Sequence, residues 1–375
     1  MNILFITYHY LNGNGGGVFA SRAYINAFAE IGDDVTLLYP MKEGAEISGI
    51  NHKVRTIPVW DKRTKAQKYW SLLRGQMHRY SHIERYIGDE HYDWVVFDTC
   101  MVTYGLIDYF KRKGSKIITI HHNYQYEYFR DNTPFLIRVP TLFWTKIYER
   151  QAVRGSDLNL TLTQADKHLL TVHYGTGKEH IEVIGAFEYK KEEHPVYLDV
   201  KEDKFLITGS LGAVQTERSL LPWIRDYYPI IKELFPQSSL TLAGKSPSDK
   251  LIKEAEEVGI KIIASPKQME PILAQARYYI CATSLGGGLK LRVMDGLKAG
   301  MPVICHEVSA RGYEIFADRG MLFVYNSIES FRQQLMRMKS SQIGKEEIIR
   351  EYEREFLFEN GVLRLKRILQ EYSLL

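Results

Sequence analysis

The sequence predicts an α/β protein built from two Rossmann-like, doubly wound domains that face a central cleft. Three observations predict it. Short continuous apolar runs recur along the chain, as expected of strands buried on both faces of a parallel sheet. Stretches of helical period separate these runs, and the alternation restarts after a charged segment near residue 190. Several runs end in glycine-rich or polar loops, where open parallel sheets bind ligands.

The elements follow in order. Ile3 to Thr7 is an apolar strand that ends in the Gly/Asn-rich loop Asn12 to Gly17. Val18 to Ile31 has helical spacing, and Gly32 is a suitable C-terminal stop. Asp34 to Tyr39 is a second strand, completing a β-loop-α-β unit. Further strands are expected at Asp93 to Asp98, Lys116 to Ile120, Asp157 to Thr163 and Ile181 to Ile184, with a helix from about Thr141 to Gly155. The second half restarts at Phe205 to Thr208. It repeats the grammar through helices near Ser219 to Leu234, Ser248 to Val258 and Leu289 to Ala299. Its strands are expected at Ser239 to Ala243, near Ile260 and Tyr279, at Pro302 to Cys305 and near Met321. Lys345 to Leu375 reads as helical. The expected domains are residues 1–189, a linker at 190–204, residues 205–352, and a C-terminal helix at 353–375.

Composition limits the function classes. The 375 residues are 45% hydrophobic and 25% charged, which excludes a disordered or collagenous chain. Lys plus Arg (49) against Asp plus Glu (45) leaves +4, too slight an excess for a nucleic-acid binder. Cys100, Cys281 and Cys305 are isolated, with no CxxC or Cys/His metal spacing, so core positions and a reducing cytoplasm are expected. The N-terminus lacks a signal-peptide pattern, and no apolar run reaches the roughly 20 residues of a membrane span.

The most informative stretch is Ser284 to Ile304, where Gly286-Gly287-Gly288 lies between a strand and a helix start. Glycines let a phosphate approach the backbone closely, and a helix N-terminus adds free N–H groups and positive potential. Lys290 and Arg292 add cations, and Asp295 is placed to accept from ribose hydroxyls. A tight turn with two solvated cations is the plainer reading of the glycines alone.

This stretch resembles the family 4 (group 1) glycosyltransferases of the GT-B fold. In the branch it looks like, a glycine-rich turn is followed by Lys-x-Lys/Arg, an acidic residue and Gly-x-Pro-Val. Gly287 stands where relatives carry the first of two glutamates, and Asp295 replaces the second. Gly209-Ser210-Leu211, Leu242 to Ser248, Glu149 to Val153 with Ala165-Asp166, and Gly15-Gly16-Gly17 match other family segments in order and spacing.

The resemblance implies a retaining transfer from a nucleotide-diphosphate sugar to a glycan, lipid-linked or protein-linked acceptor. The setting it implies is bacterial surface polysaccharide or glycoconjugate synthesis. It places the donor at Gly16, Gly17, Gly209, Ser210, Lys245, Gly287, Gly288, Leu289, Lys290 and Asp295. His122, Lys290 and Arg292 are expected to be catalytic. His121, Asn123, Arg218 and Glu314 are further candidates. It also implies that the C-terminal helix returns to the N-terminal domain.

Glycosyl transfer needs charge stabilisation of the leaving diphosphate, which these cations supply without a metal cofactor. No Asp-x-Asp motif is evident, and the His121-His122 pair has no third ligand at metal spacing. Asp98 ends a strand and reads as a helix cap or loop residue. Residues 62–85 mix seven Lys/Arg with Tyr69, Trp70, Leu72, Leu73 and Tyr80. That pattern suits either an interfacial helix on anionic lipid or a core helix with a solvated basic face. A cytoplasmic protein is expected, with peripheral contact at the inner membrane face left open. Two other readings remain: a nucleotide-sugar epimerase, and a non-catalytic glycan-binding partner of a glycosyltransferase.

Overall fold

Strand β1 (Asn2–Thr7) is apolar from Ile3 to Ile6 and buried from Ile3 to Thr7, because parallel neighbours flank it on both edges. The computed structural model describes residues 1–13, 15–42, 44–61, 63–76, 80, 82–191 and 200–372. The chain divides into two units, Met1–Lys191 with Phe356–Leu375, and Glu192–Glu355. Of the expected linker at 190–204, residues 192–199 lie outside the described residues.

The first unit holds a seven-stranded sheet. Its strands are β1, β2 (Asp34–Met41), β3 (Arg55–Trp60), β4 (Trp94–Asp98), β5 (Lys116–His121), β6 (Leu158–Thr161) and β7 (Ile181–Val183). They run in the order β3-β2-β1-β4-β5-β6-β7, every neighbouring pair parallel. Strand β4, WVVFD, is buried at every position, as a central parallel strand requires. The edge strand β3 was not anticipated. Its run carries Pro58 and only one buried position, so the hydrophobic pattern is weak.

The second unit repeats the architecture with six strands. They are β8 (Lys204–Gly209), β9 (Ser239–Gly244), β10 (Lys261–Ala264), β11 (Tyr278–Cys281), β12 (Val303–His306) and β13 (Leu322–Tyr325). The order is β10-β9-β8-β11-β12-β13, again all parallel. In each sheet the strand order reverses once, between β1 and β4 and between β8 and β11. Those reversals open crevices beyond the strand ends. The free cysteines Cys100, Cys281 and Cys305 are all buried, as expected of small core residues.

Helix boundaries show where tertiary context overrides the pattern. The Val214–Asp226 and Tyr228–Leu234 helices replace one expected helix, parted at Tyr227, beside Pro229. The C-terminal segment likewise forms two helices, Lys345–Phe356 and Phe358–Glu371, broken at Leu357. The second of these belongs to the first unit and packs on the Gly16–Ala29 helix. It buries Val362, Leu365, Ile368 and Leu369, each worth roughly 1.5–3 kcal/mol on full burial. Tyr24 supports the same region, its ring edge-on to Phe187 at 5.3 Å and its hydroxyl donating to the Gly185 carbonyl at 2.6 Å. The Phe135–Gly155 helix begins six residues before its expected start and contains Pro140. Among the described residues, no helix is long and apolar enough to cross a membrane.

Candidate active site

In the second unit the polar groups gather at the carboxyl ends of β8, β9 and β11. Gly209 ends β8 with φ 136°, a conformation that side chains rarely adopt. A Cβ there would fall 2.6 Å from Cζ of Arg292, so the missing side chain is the space the guanidinium occupies. Arg292 donates to the hydroxyls of Thr283 and Thr216, each at 3.4 Å. These long contacts orient the five-donor fork without saturating it, which leaves it able to grip an anion. The loops after β8 and β9 are laced by Lys245 N–H to Gly209 O at 3.0 Å and Gly212 N–H to Lys245 O at 3.2 Å.

The glycine turn behaves partly as expected. Gly286, Gly287 and Gly288 are buried, and the side chain of Gln215 packs directly on Gly286. The helix, however, spans Arg292–Lys298 rather than starting at Leu289. The Val293 and Met294 amides already donate to the Lys290 and Leu291 carbonyls. An anion cradle here therefore rests on the glycine turn and the cations more than on a helix end. Lys290 precedes the helix and turns its Nζ back onto the Gly287 carbonyl at 2.7 Å. Tyr313, buried in the loop after β12, donates to the Lys290 carbonyl at 3.0 Å and braces the turn from behind.

Asp295 faces the same region. It keeps solvent contact while protein crowds it, and Thr208 donates to its Oδ2 at 3.4 Å. The protein packed around it raises its carboxyl above the ordinary value, with Arg292 opposing the shift. The remaining candidates are more dispersed. Ser210 and Lys245 are exposed on their loops. Arg218 is exposed on the Val214–Asp226 helix, unlike the buried Thr216 and Ser219. Glu314 is exposed and accepts from the Gly312 amide, capping its own loop.

The first unit has its own cluster. Strands β1, β4 and β5 end side by side, and their last residues converge. Asp98 is fully buried and accepts from Thr7 and Ser21 hydroxyls at 2.5 Å each, and pairs with His122 Nε2. It is thus the hub of a network rather than a cap or loop residue. Burial opposes its ionisation, but the neighbouring His122, His9 and Ser21 together hold its carboxyl below the ordinary value.

His9 lies against His122 with ring centroids 5.1 Å apart. Burial pushes His9 down to about 4, helped by His122 and opposed by Asp98. His9 Nε2 and His122 Nδ1 are buried with no partner among the described residues. Gly17 makes the close approach possible, since a Cβ there would fall 2.7 Å from the His9 ring. Gly16 opens the helix, which starts two residues earlier than expected.

His121 points to the other face of β5, bonded to Asn159 at 3.0 Å and pushed down to about 4 by burial. Asn123 has a buried Oδ1 without a partner among the described residues. His9, Asp98 and His122 each offer one ligand atom, all within 4.8 Å of one another. The set could take a divalent cation, although the Asp98 oxygens already accept three hydrogen bonds. Sequence spacing missed the set because positions 9, 98 and 122 meet only through strand order. The available signal was a polar residue closing each of three apolar runs.

Comparison with known proteins bears on the fold and on the second unit. Residues 202–341 match the family model described as Glycosyl transferases group 1. Among curated proteins none matches the sequence. Several solved structures share the fold. The apo lipopolysaccharide outer core galactosyltransferase WaaB is similar at TM-score 0.66 and 12% identity over 99% of both chains. Anabaena Alr3699/HepE in complex with UDP is similar at TM-score 0.65 and 11% identity, over 99% of this chain and 100% of that one. An α,α-trehalose-phosphate synthase (UDP-forming) from Burkholderia vietnamiensis is similar at TM-score 0.61 and 10% identity over the whole of both chains. At such identities these likenesses speak for the fold, which is GT-B. With the group 1 domain in its second unit, the chain is a glycosyltransferase.

Proposed function

We propose that the chain is a retaining glycosyltransferase that moves a sugar from a nucleotide-diphosphate sugar to a glycan, lipid-linked or protein-linked acceptor. The observation that carries this reading is Arg292 laid over Gly209 beside the glycine turn, at the β8/β11 reversal. Cleavage of the sugar–phosphate bond leaves negative charge on the diphosphate. The Arg292 fork and the Lys290 ammonium are placed to take up that charge, with Lys245 on the neighbouring loop and the amides of Gly287, Gly288 and Leu289. A positioned cation of this kind is worth about 10²-fold or more in rate when the charge it meets develops in the transition state. In this reading no metal cofactor is needed, because the fixed cations supply the charge. Asp295 is suited to the ribose hydroxyls, being open to solvent and supported by Thr208.

Within the first unit this reading gives His122 a catalytic part, its imidazole held by the bond to Asp98. Supporting a uridine donor, one structural neighbour was solved with UDP and glucose. A role in bacterial surface polysaccharide synthesis follows from the family resemblance. The test is calorimetric titration of the full chain with UDP and GDP, then an assay of transfer from the matching sugar nucleotides. NMR of the product anomer tests retention. Micromolar binding that is lost in Arg292→Ala supports the reading, and unaltered binding in that variant refutes the diphosphate site.

A further inference from the structure

The first unit carries an apolar surface that neither fold nor transfer chemistry requires. On the Phe135–Gly155 helix, Phe135, Leu136, Val139 and Phe143 are 81%, 88%, 76% and 59% exposed. At 100° per residue they form one stripe, and Lys146 and Arg150, both exposed, continue it along the same face. The one acid of this helix, Glu149, is fully buried and lies off this face. Four large side chains at this exposure reach the roughly 300–600 Å² of the largest apolar patch on an ordinary monomer.

A second helix lies against this one. Trp144 packs on Gly75 at the end of the Lys65–Leu73 helix, and the Tyr148 hydroxyl donates to the Gly75 carbonyl. The shorter helix exposes Tyr69, Trp70 and Leu73. Beside it, Arg63, Gln67, Trp70, Ser71, Arg74 and Gln76 line a concavity of about 510 Å³ with no acidic side chain in its wall. Asp61, which pairs with Arg63 and Lys68, is buried beneath them.

We infer that these two helices dock the protein on an anionic lipid surface. Charge complementarity selects the occupant: the apolar stripe suits acyl chains, and cations without exposed acids border it on both helices. Arg63 and Arg74 flank a hollow of the right character for a lipid phosphate, with the Trp70 ring at its rim. Aromatic and basic side chains with this division between apolar and charged surface match a headgroup boundary. The basic-aromatic pattern at 62–85 had left this reading open beside a solvated face. Residues 62, 77–79 and 81 of that span lie outside the described residues. The stripe on the longer helix is the new element.

The experiment is co-sedimentation of the full chain with vesicles of phosphatidylcholine alone or mixed equally with phosphatidylglycerol. The expected result is at least tenfold tighter partition onto the anionic vesicles, weakening with added salt. The double variants Phe135→Ser/Leu136→Ser and Arg63→Gln/Arg74→Gln should each lower that partition about tenfold. Phe135, Leu136 and Arg74 are exposed, so their replacement should leave circular dichroism and melting temperature unchanged; Arg63→Gln also removes a partner of buried Asp61, so Arg74→Gln alone serves as the folded control for the basic arm. Equal partition onto both vesicles overturns the inference, as does unchanged binding by either double variant. Light scattering that shows a dimer dissociated by Phe135→Ser/Leu136→Ser also overturns it, by assigning the stripe to a second copy. Transfer activity is not the readout, so the result stands apart from the donor-site proposal.

Discussion

Asp98 and His122, 24 positions apart in sequence, are paired through Oδ1 and Nε2 at the ends of the adjacent parallel strands β4 and β5. The pair fixes how the imidazole is presented, and Thr7 and Ser21 hold the carboxylate from the other side. Replacing Asp98 by Asn should leave the sheet intact but release the ring. We expect kcat to fall by about 10²-fold or more, with donor affinity nearly unchanged. The Asp98 carboxyl is held below its ordinary value near 3.8, so the stability it adds is complete above that pH and is lost as pH falls through the folded value. Acid unfolding of Asp98→Asn should therefore begin from a lower baseline and show a shallower decline below pH 3.8 than the parent chain.

Gly209→Ala tests the contact that places Arg292. The added methyl meets the guanidinium, and the backbone at φ 136° is strained for any side chain. A stability loss of about 1–3 kcal/mol is expected from the backbone alone. Loss of UDP affinity should exceed what the melting temperature reports, because Arg292 must vacate its place. Retained affinity in the folded variant would show that the guanidinium is not the diphosphate ligand.

Arg292→Lys separates charge from geometry. Lysine keeps the positive charge but cannot reach Thr216, Thr283 and an anion with a planar fork. We expect kcat/KM to fall about 10-fold in Arg292→Lys and further in Arg292→Ala. Equal losses in both variants would assign the effect to fork geometry rather than to charge.

Glu149 gives a pH dependence that does not involve the donor. It is fully buried, accepting from the Gln125 amide and from the Tyr174 hydroxyl at 2.9 Å. Burial raises its carboxyl to about 8 against a reference of 4.5. Below pH 4.5 both folded and unfolded chains hold this proton. Between about 4.5 and 8 the unfolded chain releases it and the folded chain retains it, so this residue lowers stability as pH rises. Glu149→Gln should flatten the fall in melting temperature between pH 5 and pH 8. Parallel curves for the two proteins would count against a protonated Glu149.

The strands were legible because parallel β-structure buries both faces and leaves continuous apolar runs, as in WVVFD and KIITIH. The glycine turn was legible because Gly286 to Gly288 are followed at short spacing by Lys290, Arg292 and Asp295, a combination with a physical use. The partners were not. Thr216, on the Val214–Asp226 helix, and Thr283, after β11, reach Arg292 only because their segments meet at the strand-order reversal, and nothing local marks either threonine. The same holds for His9, which joins Asp98 because β1 and β4 are neighbours. The start of the Phe135–Gly155 helix was missed for a different reason. Pro140 lies inside the helix, and a proline within a helical pattern reads as a boundary, so the expected start fell just after it.

The first unit is interrupted in the chain: it is left near Lys191 and rejoined only at Phe356. During synthesis, some 160 residues of a separate unit must be made before the segment that seals the Phe187 end of the first sheet is translated. Until then the Tyr24 and Phe187 rings lack their cover, and the nascent half-protein is exposed to chaperones and proteases. The second unit, encoded without interruption, can fold first and wait. A chain ended before residue 356 would carry the whole of the second unit beside a first unit that lacks its closing helix.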